Sequence, residues 1–352
     1  MDILVTGGAG FVGSNLAIAF KNDTGGRVVA MDNLKRRGSE LNIGRLRKNG
    51  VEFIHGDIRN KEDFEPVGKV DTVVECSAEP SVMAGIGSSP DYLINTNLMG
   101  TVNCLEFARK RASTFLFLST SRVYPVETIN SLNVRETETR FELLDDQPVR
   151  GASSRGISEE FPLDGARTLY GATKLCSELL IREYVNTYGL KAVVNRCGLI
   201  TGPWQMGKVD QGVIVLWVAR HHYGMPLSYI GYGGKGKQVR DMIDVRDLYR
   251  LLRIQLAQID DHSGAVYNVG GGPERSLSLC ELTALCEKYT GRRIPISGVP
   301  ENRPGDIITY ITDNAKVTGK TGWKPEISSE RTIRDIAEWV EENSESLKPI
   351  LT

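Results

Sequence analysis

The sequence lacks an excess of charge of either sign and any long apolar run. Its 352 residues carry 43 basic and 44 acidic side chains, which gives a net charge of −1. A general nucleic-acid binder would carry a basic excess, so this balance argues against a nucleic-acid partner. A membrane span needs about 20 consecutive apolar residues. The longest clear run, 213–219, is far shorter, so we expect no membrane association.

Histidine is scarce, and the cysteines are not paired in sequence. The four histidines have no metal-ligand spacing, and the six cysteines form no Cys-x-x-Cys motif, so we expect neither a metal site nor a disulfide framework. Scattered cysteines in apolar segments are typical of reduced core thiols. Met1-Asp2 leads directly into an apolar segment without a basic region, and we expect no signal peptide. These features predict a cytoplasmic protein.

Short apolar runs alternate with longer helical patterns over the first 200 residues. The strand candidates are rich in β-branched residues without two-residue alternation, which is typical of strands buried on both faces of a parallel sheet. They cover 3–6, 27–31, 51–54, 72–75, 115–118 and 192–196. The helix candidates cover 11–21, 90–111 and 167–188. This order predicts an α/β fold with a doubly wound parallel sheet of the Rossmann type.

A chain of this length predicts either two domains or one large domain with an appendage. We expect the Rossmann domain over 1–201, with returns to it near 239–270. Residues 125–166 are rich in Glu, Asp, Arg, Ser and Pro and predict an irregular or hairpin insertion. Residues 202–352 should form mainly a smaller, mixed α/β substrate-binding lobe.

The segment TGGAGFVG at 6–13 stands directly after a strand candidate and opens a helix candidate. Its first glycine permits a tight turn, its second lets backbone amides approach a pyrophosphate, and its third lets the helix pack on the strand. The helix N-terminus then faces the negative charge. A turn that merely needs glycine is the alternative. We expect cofactor contacts from Gly7, Gly10, Phe11, Val12 and Gly13.

Asp32 ends the second strand, nineteen residues after Gly13, and favours NAD over NADP. A carboxylate there accepts hydrogen bonds from the adenosine ribose and repels a 2′-phosphate. The basic run 35–37 complicates this, because it either neutralises such a phosphate or is simply solvated. Asp57 either receives the adenine amino group or caps a helix. The neighbouring residues expected to contact the cofactor are Asn33, Arg36 and Ile58.

Tyr170 and Lys174 stand four residues apart in LYGATK, on one face of a predicted helix. Oxidation of an alcohol needs a base, and a tyrosine serves only if its pKa falls below the usual value of about 10. A nearby ammonium favours the phenolate, and Lys174 can supply one. Thr120 or Ser121, after the fifth strand, could donate a hydrogen bond to a reacting oxygen. The alternatives are an exposed surface pair and a helix cap.

The chain resembles the extended short-chain dehydrogenase/reductase family, whose members act on nucleotide sugars. The resemblance covers essentially the whole chain and rests on TGGAGFVG, Asp32, TNLMGT at 96–101, STSRVY at 119–124 and YGATK at 170–174. It implies that Thr120 is the catalytic hydroxyl, Tyr170 the base and Lys174 its partner, which also holds the cofactor. It further implies that NAD is contacted by Ala78, Asn97 and Cys197.

Two departures from the family pattern narrow the reaction. The 4,6-dehydratases of the family carry an Asp-Glu pair after the catalytic threonine, where this chain has Ser121 and Arg122. Dehydration is therefore disfavoured. The Arg-x-x-Asn segment common in the family reads Arg-Cys-Gly-Leu at 196–199. The substrate pyrophosphate must therefore be bound elsewhere.

Longer stretches resemble one subgroup, the CDP-paratose 2-epimerases; they include 32–42, 75–82, 202–213 and 236–248. This implies an NAD-dependent isomerase that inverts C2 of a CDP-linked hexose or deoxyhexose through a transient 2-keto sugar. Arg240 and Arg303 would clamp the diphosphate, unless Arg240 pairs with Asp241 or Asp244. The other expected substrate contacts are Glu79, Ser81, Ser121, Gln205, Lys208 and Gln211.

Other functions remain open at this point. A UDP-sugar 4-epimerase would use the same catalytic residues with a different substrate register. A non-catalytic dinucleotide-sensing protein could keep the fold, and a dehydrogenase would release NADH. The helices predicted at 90–111 and 167–188 could pair across a two-fold axis, so we expect a homodimer or homotetramer.

Overall fold

The structure is a computed structural model that describes residues 1–207 and 211–352. The chain divides into two compact units. The first comprises Met1–Val123, Leu169–Arg196 and Leu248–Tyr267. The second comprises Tyr124–Thr168, Cys197–Asp247 and Asn268–Thr352. The division at residue 201 stays a prediction, and the segment we treated as an insertion into the first domain groups with the second unit.

The strands are short and lie close to the apolar runs of the sequence. They are β1 Ile3–Thr6, β2 Val28–Asp32, β3 Glu52–His55, β4 Thr72–Glu75, β5 Thr114–Thr120, β6 Val134–Glu136, β7 Phe141–Leu143, β8 Ala152–Ser153, β9 Gly156–Ile157, β10 Lys191–Cys197, β11 Leu199–Thr201, β12 Leu227–Ile230, β13 Val239–Asp244, β14 Val266–Val269, β15 Ser276–Ser278, β16 Ile296–Val299 and β17 Thr309–Tyr310.

The helices follow the amphipathic stretches of the sequence. They are α1 Phe11–Thr24, α2 Leu41–Lys48, α3 Asp91–Ile94, α4 Gly100–Arg111, α5 Val126–Asn130, α6 Leu169–Tyr188, α7 Val213–Tyr223, α8 Val245–Ala257, α9 Ile259–His262, α10 Leu279–Thr290, α11 Ala315–Thr321, α12 Ser329–Glu342 and α13 Ser344–Leu351. The helix predicted over 90–111 is helical without a break from Asp91 to Arg111, and a π turn at Asn95–Met99 lies inside it between α3 and α4.

A seven-stranded sheet with the order β14-β10-β5-β4-β1-β2-β3 confirms the predicted fold class. Strands β3, β2, β1, β4 and β5 pair in parallel. The strand order reverses beside β1, whose neighbours are β2 and β4. In sheets of this kind a ligand binds at the carboxyl ends of the strands where the order reverses. The glycine loop that follows β1 stands at this point.

The core of the first unit lies between this sheet and the helices that cover it. Helix α4 packs on β4 and β5, and α6 packs on β5 and on α4. The apolar residues of this layer are buried and include Val73, Cys104, Leu105, Phe115 and Phe117. Burial of apolar side chains on both faces explains why the strands lack two-residue alternation.

The second unit has its own sheet and a helical layer. Strand β13 pairs with β11, β15 and β17, and β12 pairs with β16. The segment 124–168 contains the hairpins β6-β7 and β8-β9. Helices α7, α10 and α12 pack on one another. Their apolar faces are buried, as Trp217 and Val340 illustrate.

The described residues contain neither a membrane-spanning helix nor a cluster of metal ligands. Within residues 1–207 and 211–352, no helix combines the length and apolarity that a membrane crossing requires. Over the same residues, no three His, Cys, Asp or Glu side chains gather as metal ligands.

A buried ion pair joins α6 to β10 within the first unit. Glu178 on α6 accepts hydrogen bonds from Nε of Arg196 at 3.0 Å and from Nη2 at 2.7 Å. The two side chains are only 4% and 6% exposed. The hydroxyl of Ser119 donates to the same carboxylate. The cost of removing two charges from water offsets much of the attraction in a buried pair. Removing one partner is nevertheless destabilising, because the other charge is left uncompensated.

We expect Glu178→Gln to lower the free energy of unfolding by about 3–5 kcal/mol, because Arg196 would stay buried without its counter-ion. The matched control is Glu52→Gln, which removes the carboxylate of the exposed Arg27–Glu52 pair. That change should cost less than about 1 kcal/mol. Chemical denaturation followed by circular dichroism measures both values. Equal losses in the two variants would show that the buried pair has no special role.

Candidate active site

The segment from β1 into α1 forms a tight cradle in which Gly7, Gly8 and Gly13 leave no room for a Cβ. Gly7 has a φ of 63°, which glycine adopts without strain. A Cβ on Gly13 would lie 2.1 Å from the carbonyl oxygen of Gly7. A Cβ on Gly7 would lie 2.9 Å from the backbone of Cys76 and Ser77. The loop therefore approaches both its own helix and the segment after β4 more closely than a side chain would permit.

The start of α1 is suited to hold an anion. Gly10 is its N-cap residue and has no side chain that could accept from the first turn. The first turn begins with Phe11 and Val12 and carries no acidic residue. The N–H groups at a helix N-terminus and the helix dipole favour negative charge. A pyrophosphate is the kind of ligand that such a terminus binds.

Asp32, at the end of β2, connects the glycine loop to the turn that follows it. Its Oδ2 accepts the N–H of Ala9 at 3.0 Å, and its Oδ1 accepts the N–H of Leu34 at 2.8 Å. Burial raises the pKa of Asp32 above its ordinary value, and these backbone hydrogen bonds oppose the rise. On the other side of the loop, the Asn42 side chain donates to the carbonyl of Ala9 at 2.9 Å. Sequence reasoning did not identify Asn42.

The carboxylate of Asp57 is held by protein groups on both sides. It accepts hydrogen bonds from the Asn33 side chain at 2.8 Å and from Nη2 of Arg59 at 2.7 Å. Burial alone would raise the pKa of Asp57, but the hydrogen bonds from Arg59 and Asn33 outweigh it and lower the value to about 2. The ion pair with Arg59 was not predicted. Asp57 also accepts the N–H of Arg59, which caps the local turn.

A cavity of about 450 Å³ adjoins this carboxylate. It is lined by Asn33, Lys35, His55, Gly56, Asp57, Arg59, Asn60 and Asp63. Among the other residues predicted near the adenosine, Arg36 lies in the turn after β2, where its carbonyl accepts the N–H of Ser39. Ile58 is buried, and a Cβ on Gly100 would lie 2.4 Å from its Cδ1.

Asn97 holds the loop that follows β4. Its Oδ1 accepts the N–H of Glu79 at 2.7 Å, and its Nδ2 donates to the carbonyl of Glu79 at 3.0 Å. Asn97 has no exposed surface, so any effect it has on a cofactor passes through this loop, which carries the half-buried Ala78. The π turn places Asn97 there, and such turns are frequent at functional sites.

Glu79 and Ser81, predicted near the sugar, shape the same loop. The carboxylate of Glu79 accepts the N–H of Ser81 at 3.4 Å, and the hydroxyl of Ser81 accepts the N–H of Met83 at 3.2 Å. Both residues are half-buried. Their contact with a sugar stays a prediction.

The predicted catalytic residues all belong to the first unit. Thr120 is the last residue of β5, and its Oγ1 accepts the N–H of Arg122 at 3.1 Å. Its O–H can therefore still be donated. Lys174 on α6 donates from Nζ to the carbonyl of Leu118 at 3.0 Å. This bond fixes the ammonium to β5 two residues before Thr120. Half-buried Tyr170 lies one turn before Lys174 on the same helix.

The position after Thr120 carries no acid. Ser121 and Arg122 begin a short 3-10 turn, and both are half-buried. An elimination needs an acid to protonate the leaving hydroxyl and a base to take a proton from carbon. Neither a hydroxyl nor a guanidinium titrates in the range where it could serve as that acid.

Glu75 is a charged residue of this site that sequence reasoning missed. It ends β4, is completely buried, and accepts a hydrogen bond from Oγ1 of Thr101 at 2.7 Å. Burial raises the pKa of Glu75 to about 7, and the nearby charge of Lys174 opposes the rise. The available signal was an acidic residue at the end of the apolar strand TVVE.

Arg240, in the second unit, has a different partner from either one considered. Its Nη2 lies 3.0 Å from Oδ1 of Asp306 and 2.6 Å from the carbonyl of Ile307. The pairs with Asp241 or Asp244, considered as the alternative to a phosphate contact, do not form. Asp244 pairs with Arg246, and Asp241 accepts backbone N–H groups. Arg303 lies near Asp306 in sequence, and its carbonyl accepts the N–H of Asp306.

Four further residues were predicted to contact the substrate or the cofactor. Gln205 is buried, accepts from the hydroxyl of Thr201 at 2.9 Å and donates to the carbonyl of Ile200 at 3.2 Å. Its side chain therefore stabilises the loop in which it lies. The buried Oε1 of Gln211 has no hydrogen-bond partner within the described residues. Cys197 is buried at the end of β10. Lys208 lies outside the described residues.

These features define a class of protein. The protein has a parallel sheet with a glycine cradle where the strand order reverses, an acid at the end of β2 and a Tyr-x-x-x-Lys pair. This combination is typical of a dinucleotide-dependent enzyme of the short-chain dehydrogenase/reductase type. The residues fit NAD, because the cradle has no room for side chains at Gly7 and Gly13 and Asp32 ends β2 beside it.

The chain belongs to the NAD dependent epimerase/dehydratase family, whose model matches residues 3–270. This confirms the resemblance to the extended short-chain dehydrogenases/reductases, and NAD is the cofactor. The chain is 30% identical to CDP-paratose 2-epimerase of Salmonella typhi, over 96% of this chain and 99% of that protein. It is also 30% identical to dTDP-glucose 4,6-dehydratase of Salmonella typhimurium, over 98% and 94%.

A solved structure shows the same fold. UDP-glucose 4-epimerase of Thermus thermophilus, in complex with NAD, superposes with a TM-score of 0.74 at 26% sequence identity. The match covers 97% of this chain and 99% of that one. Epimerases and dehydratases are thus both similar to this chain along nearly its whole length.

We expect Gly13→Ala to abolish NAD binding and to lower the free energy of unfolding by about 1–3 kcal/mol, because its Cβ has no space beside Gly7. The control is Gly44→Ala in α2, where a Cβ meets nothing within 4 Å. That change should stabilise the protein by about 0.5–1 kcal/mol. Calorimetric titration with NAD and chemical denaturation check both expectations. Normal NAD binding by Gly13→Ala would contradict the cradle.

We expect Asp32→Asn to weaken NAD binding roughly tenfold to a hundredfold, because a charged hydrogen-bond acceptor for the ribose is lost. The gap between the NAD and NADP affinities should narrow, because the charge that repels a 2′-phosphate is gone. Calorimetric titration with each cofactor measures this. Asp23→Asn, at an exposed carboxylate near the end of α1, serves as the control and should bind NAD normally. An unchanged NAD affinity in Asp32→Asn would refute the assignment.

Proposed function

We propose that this chain is an NAD-dependent epimerase that inverts C2 of a CDP-linked hexose or deoxyhexose, as in the conversion of CDP-paratose to CDP-tyvelose. The proposal is supported by the full-length similarity to CDP-paratose 2-epimerase of Salmonella typhi. The observation that carries it is the site at the end of β5. There Lys174 is bound to the Leu118 carbonyl beside Thr120, and Ser121 and Arg122 stand where a dehydratase needs acids.

The chain's own residues perform the proton transfer. Tyr170, as the phenolate, removes the proton from the C2 hydroxyl, and the Lys174 ammonium one turn away stabilises that phenolate. The O–H of Thr120 donates to the oxygen that becomes the carbonyl of the 2-keto sugar. Held by the glycine cradle and Asp32, NAD would supply the hydride acceptor and donor for the sugar carbon. On return, Tyr170 gives the proton back to the sugar oxygen.

Inversion requires that the sugar present its opposite face before it is reduced. The nucleotide therefore has to be held firmly while the hexose turns. On the resemblance, Arg240 and Arg303 bind the diphosphate. Because Arg240 is engaged with Asp306, it must share or release that carboxylate to bind a phosphate. Binding of the nucleotide thus keeps the 2-keto sugar in the site while the hexose turns.

A UDP-sugar 4-epimerase is the second candidate. The similarity to the Thermus thermophilus UDP-glucose 4-epimerase favours it, and the same Tyr170, Lys174 and Thr120 would serve. Only the register of the sugar differs between the two reactions. A non-catalytic dinucleotide sensor has less support, because nothing in such a protein calls for a buried lysine beside Tyr170.

We also propose a homodimer or homotetramer. Exposed apolar side chains lie on the first unit at α3, the π turn and α6, and they are Ile94, Met99, Leu179 and Tyr188. A second copy of the chain packed on these helices would cover these side chains. The helices that carry them are those expected to pair across a two-fold axis.

We expect Tyr170→Phe to slow epimerisation of CDP-paratose by about 10²–10⁴-fold while NAD remains bound, because the base is lost and the ring is kept. Tyr188→Phe, on the same helix but 56% exposed, is the control and should keep full activity. NMR of the sugar product identifies the inverted carbon, with UDP-glucose tested in parallel. Absorbance of NADH should stay near the baseline, since the cofactor is regenerated.

Three results would reject the proposal. A C4 epimer formed from UDP-glucose would identify the second candidate. NADH accumulating in proportion to substrate would identify a dehydrogenase. Unchanged turnover in Tyr170→Phe would remove Tyr170 as the base.

A further inference from the structure

Glu75 lies in the same buried layer as Lys174. Strands β1, β4 and β5 are parallel, and their register aligns Thr6 with Glu75 and Glu75 with Phe117. Aligned residues of neighbouring strands point to the same face of a sheet. The Nζ of Lys174 lies 4.4 Å from the centroid of the Phe117 ring. The carboxylate and the ammonium therefore occupy the space between the sheet and the helices that cover it.

The hydrogen bonding of Glu75 is incomplete. Its Oε1 accepts from Thr101, but its Oε2 is buried without a hydrogen-bond partner in the described residues. A buried anion with an unsatisfied oxygen is costly unless a positive charge compensates it. Burial raises the pKa of Glu75 to about 7, against the opposing influence of Lys174. Its charge therefore changes near neutral pH.

Two titratable groups face Glu75 from the helices packed on it, Lys174 on α6 and Cys104 on α4. Burial raises the pKa of the Cys104 thiol well above its ordinary value, and the charge of Glu75 adds to this rise. Cys104 is therefore a neutral thiol at neutral pH. Of these two groups, only Lys174 is charged at neutral pH, so it is the group with which the Glu75 carboxylate interacts electrostatically.

We propose that Glu75 is a positioning residue of this reaction and acts through Lys174: the charge on its buried carboxylate sets the pH at which Tyr170 becomes a base. Ionised Glu75 offsets part of the positive field that Lys174 exerts on the phenol. Neutral Glu75 leaves the full field on Tyr170 and favours the phenolate. The inference rests on the proposed function only in taking Tyr170 as the base.

The test is a spectroscopic titration of Tyr170 in the NAD-saturated protein. Tyrosinate absorbance is recorded against pH for each variant and for its Tyr170→Phe counterpart. The difference isolates Tyr170 from the other tyrosines among the 12 in the chain. Glu75→Gln keeps the shape of the side chain and an acceptor for Thr101 but removes the charge. The midpoint should move down by about one pH unit.

Matched variants separate charge from packing. Cys104→Ala alters the same buried layer without removing a charge that is present at neutral pH, and its midpoint should equal that of the native chain. Glu75→Asp retains a carboxylate and should return the midpoint toward the native value. If Glu75→Gln does not fold, Glu75→Leu carries the same expectation, since apolar residues of similar volume commonly replace buried charges without loss of stability.

An unchanged or raised midpoint in a folded Glu75→Gln or Glu75→Leu variant would overturn the proposal, as would an equal shift in Cys104→Ala. The titration contains no sugar, so it does not depend on the identity of the substrate. If the epimerase assignment fails, the product analysis by NMR shows it while the shift in Tyr170 remains. If the role of Glu75 fails, epimerisation persists and the shift is absent.

Discussion

The hydrogen bond from the Lys174 ammonium to the Leu118 carbonyl is the interaction on which the site depends. It places a positive charge in a buried layer, where only 2% of the lysine is exposed. A charge so placed is costly unless it is hydrogen-bonded and compensated. The ring of Phe117 and the carboxylate of Glu75 lie in the same layer. The bond fixes α6 against β5 and holds Tyr170 one turn from Lys174, the residue proposed to stabilise its phenolate.

The cofactor side of the site is organised by close backbone contacts and by hydrogen bonds to the backbone. Gly13 and Gly7 bring loop and helix so near that no side chain fits between them. Asp32 binds this loop from β2, and Asn97 binds the loop after β4. These hydrogen bonds lie within the first unit. A cradle held in this way is organised before its ligand arrives, which reduces the ordering cost of binding.

Local patterns predicted most of the first unit well. The bounds of β1 and β4 agree with the sequence prediction, because buried runs of four residues between polar turns leave little choice. The helix at 90–111 was predicted as well, but not the π turn inside it. That turn brings Asn97 to the backbone of Glu79 and Ser177 to the carbonyl of Asn97. Those contacts come from other parts of the chain, so no local pattern shows them.

Local spacing along the chain was enough to predict the fold class, the glycine cradle, the acid at the end of β2 and the Tyr170–Lys174 pair. Each depends on residues that are close in the chain, and their spacing is set by the geometry of one turn, strand or helix. The folded chain was needed to show that Arg240 pairs with Asp306, 66 residues away, and that Glu75 shares a buried layer with Lys174. Charges that meet from distant segments leave no periodic trace, because their pairing is set by how strands and helices pack.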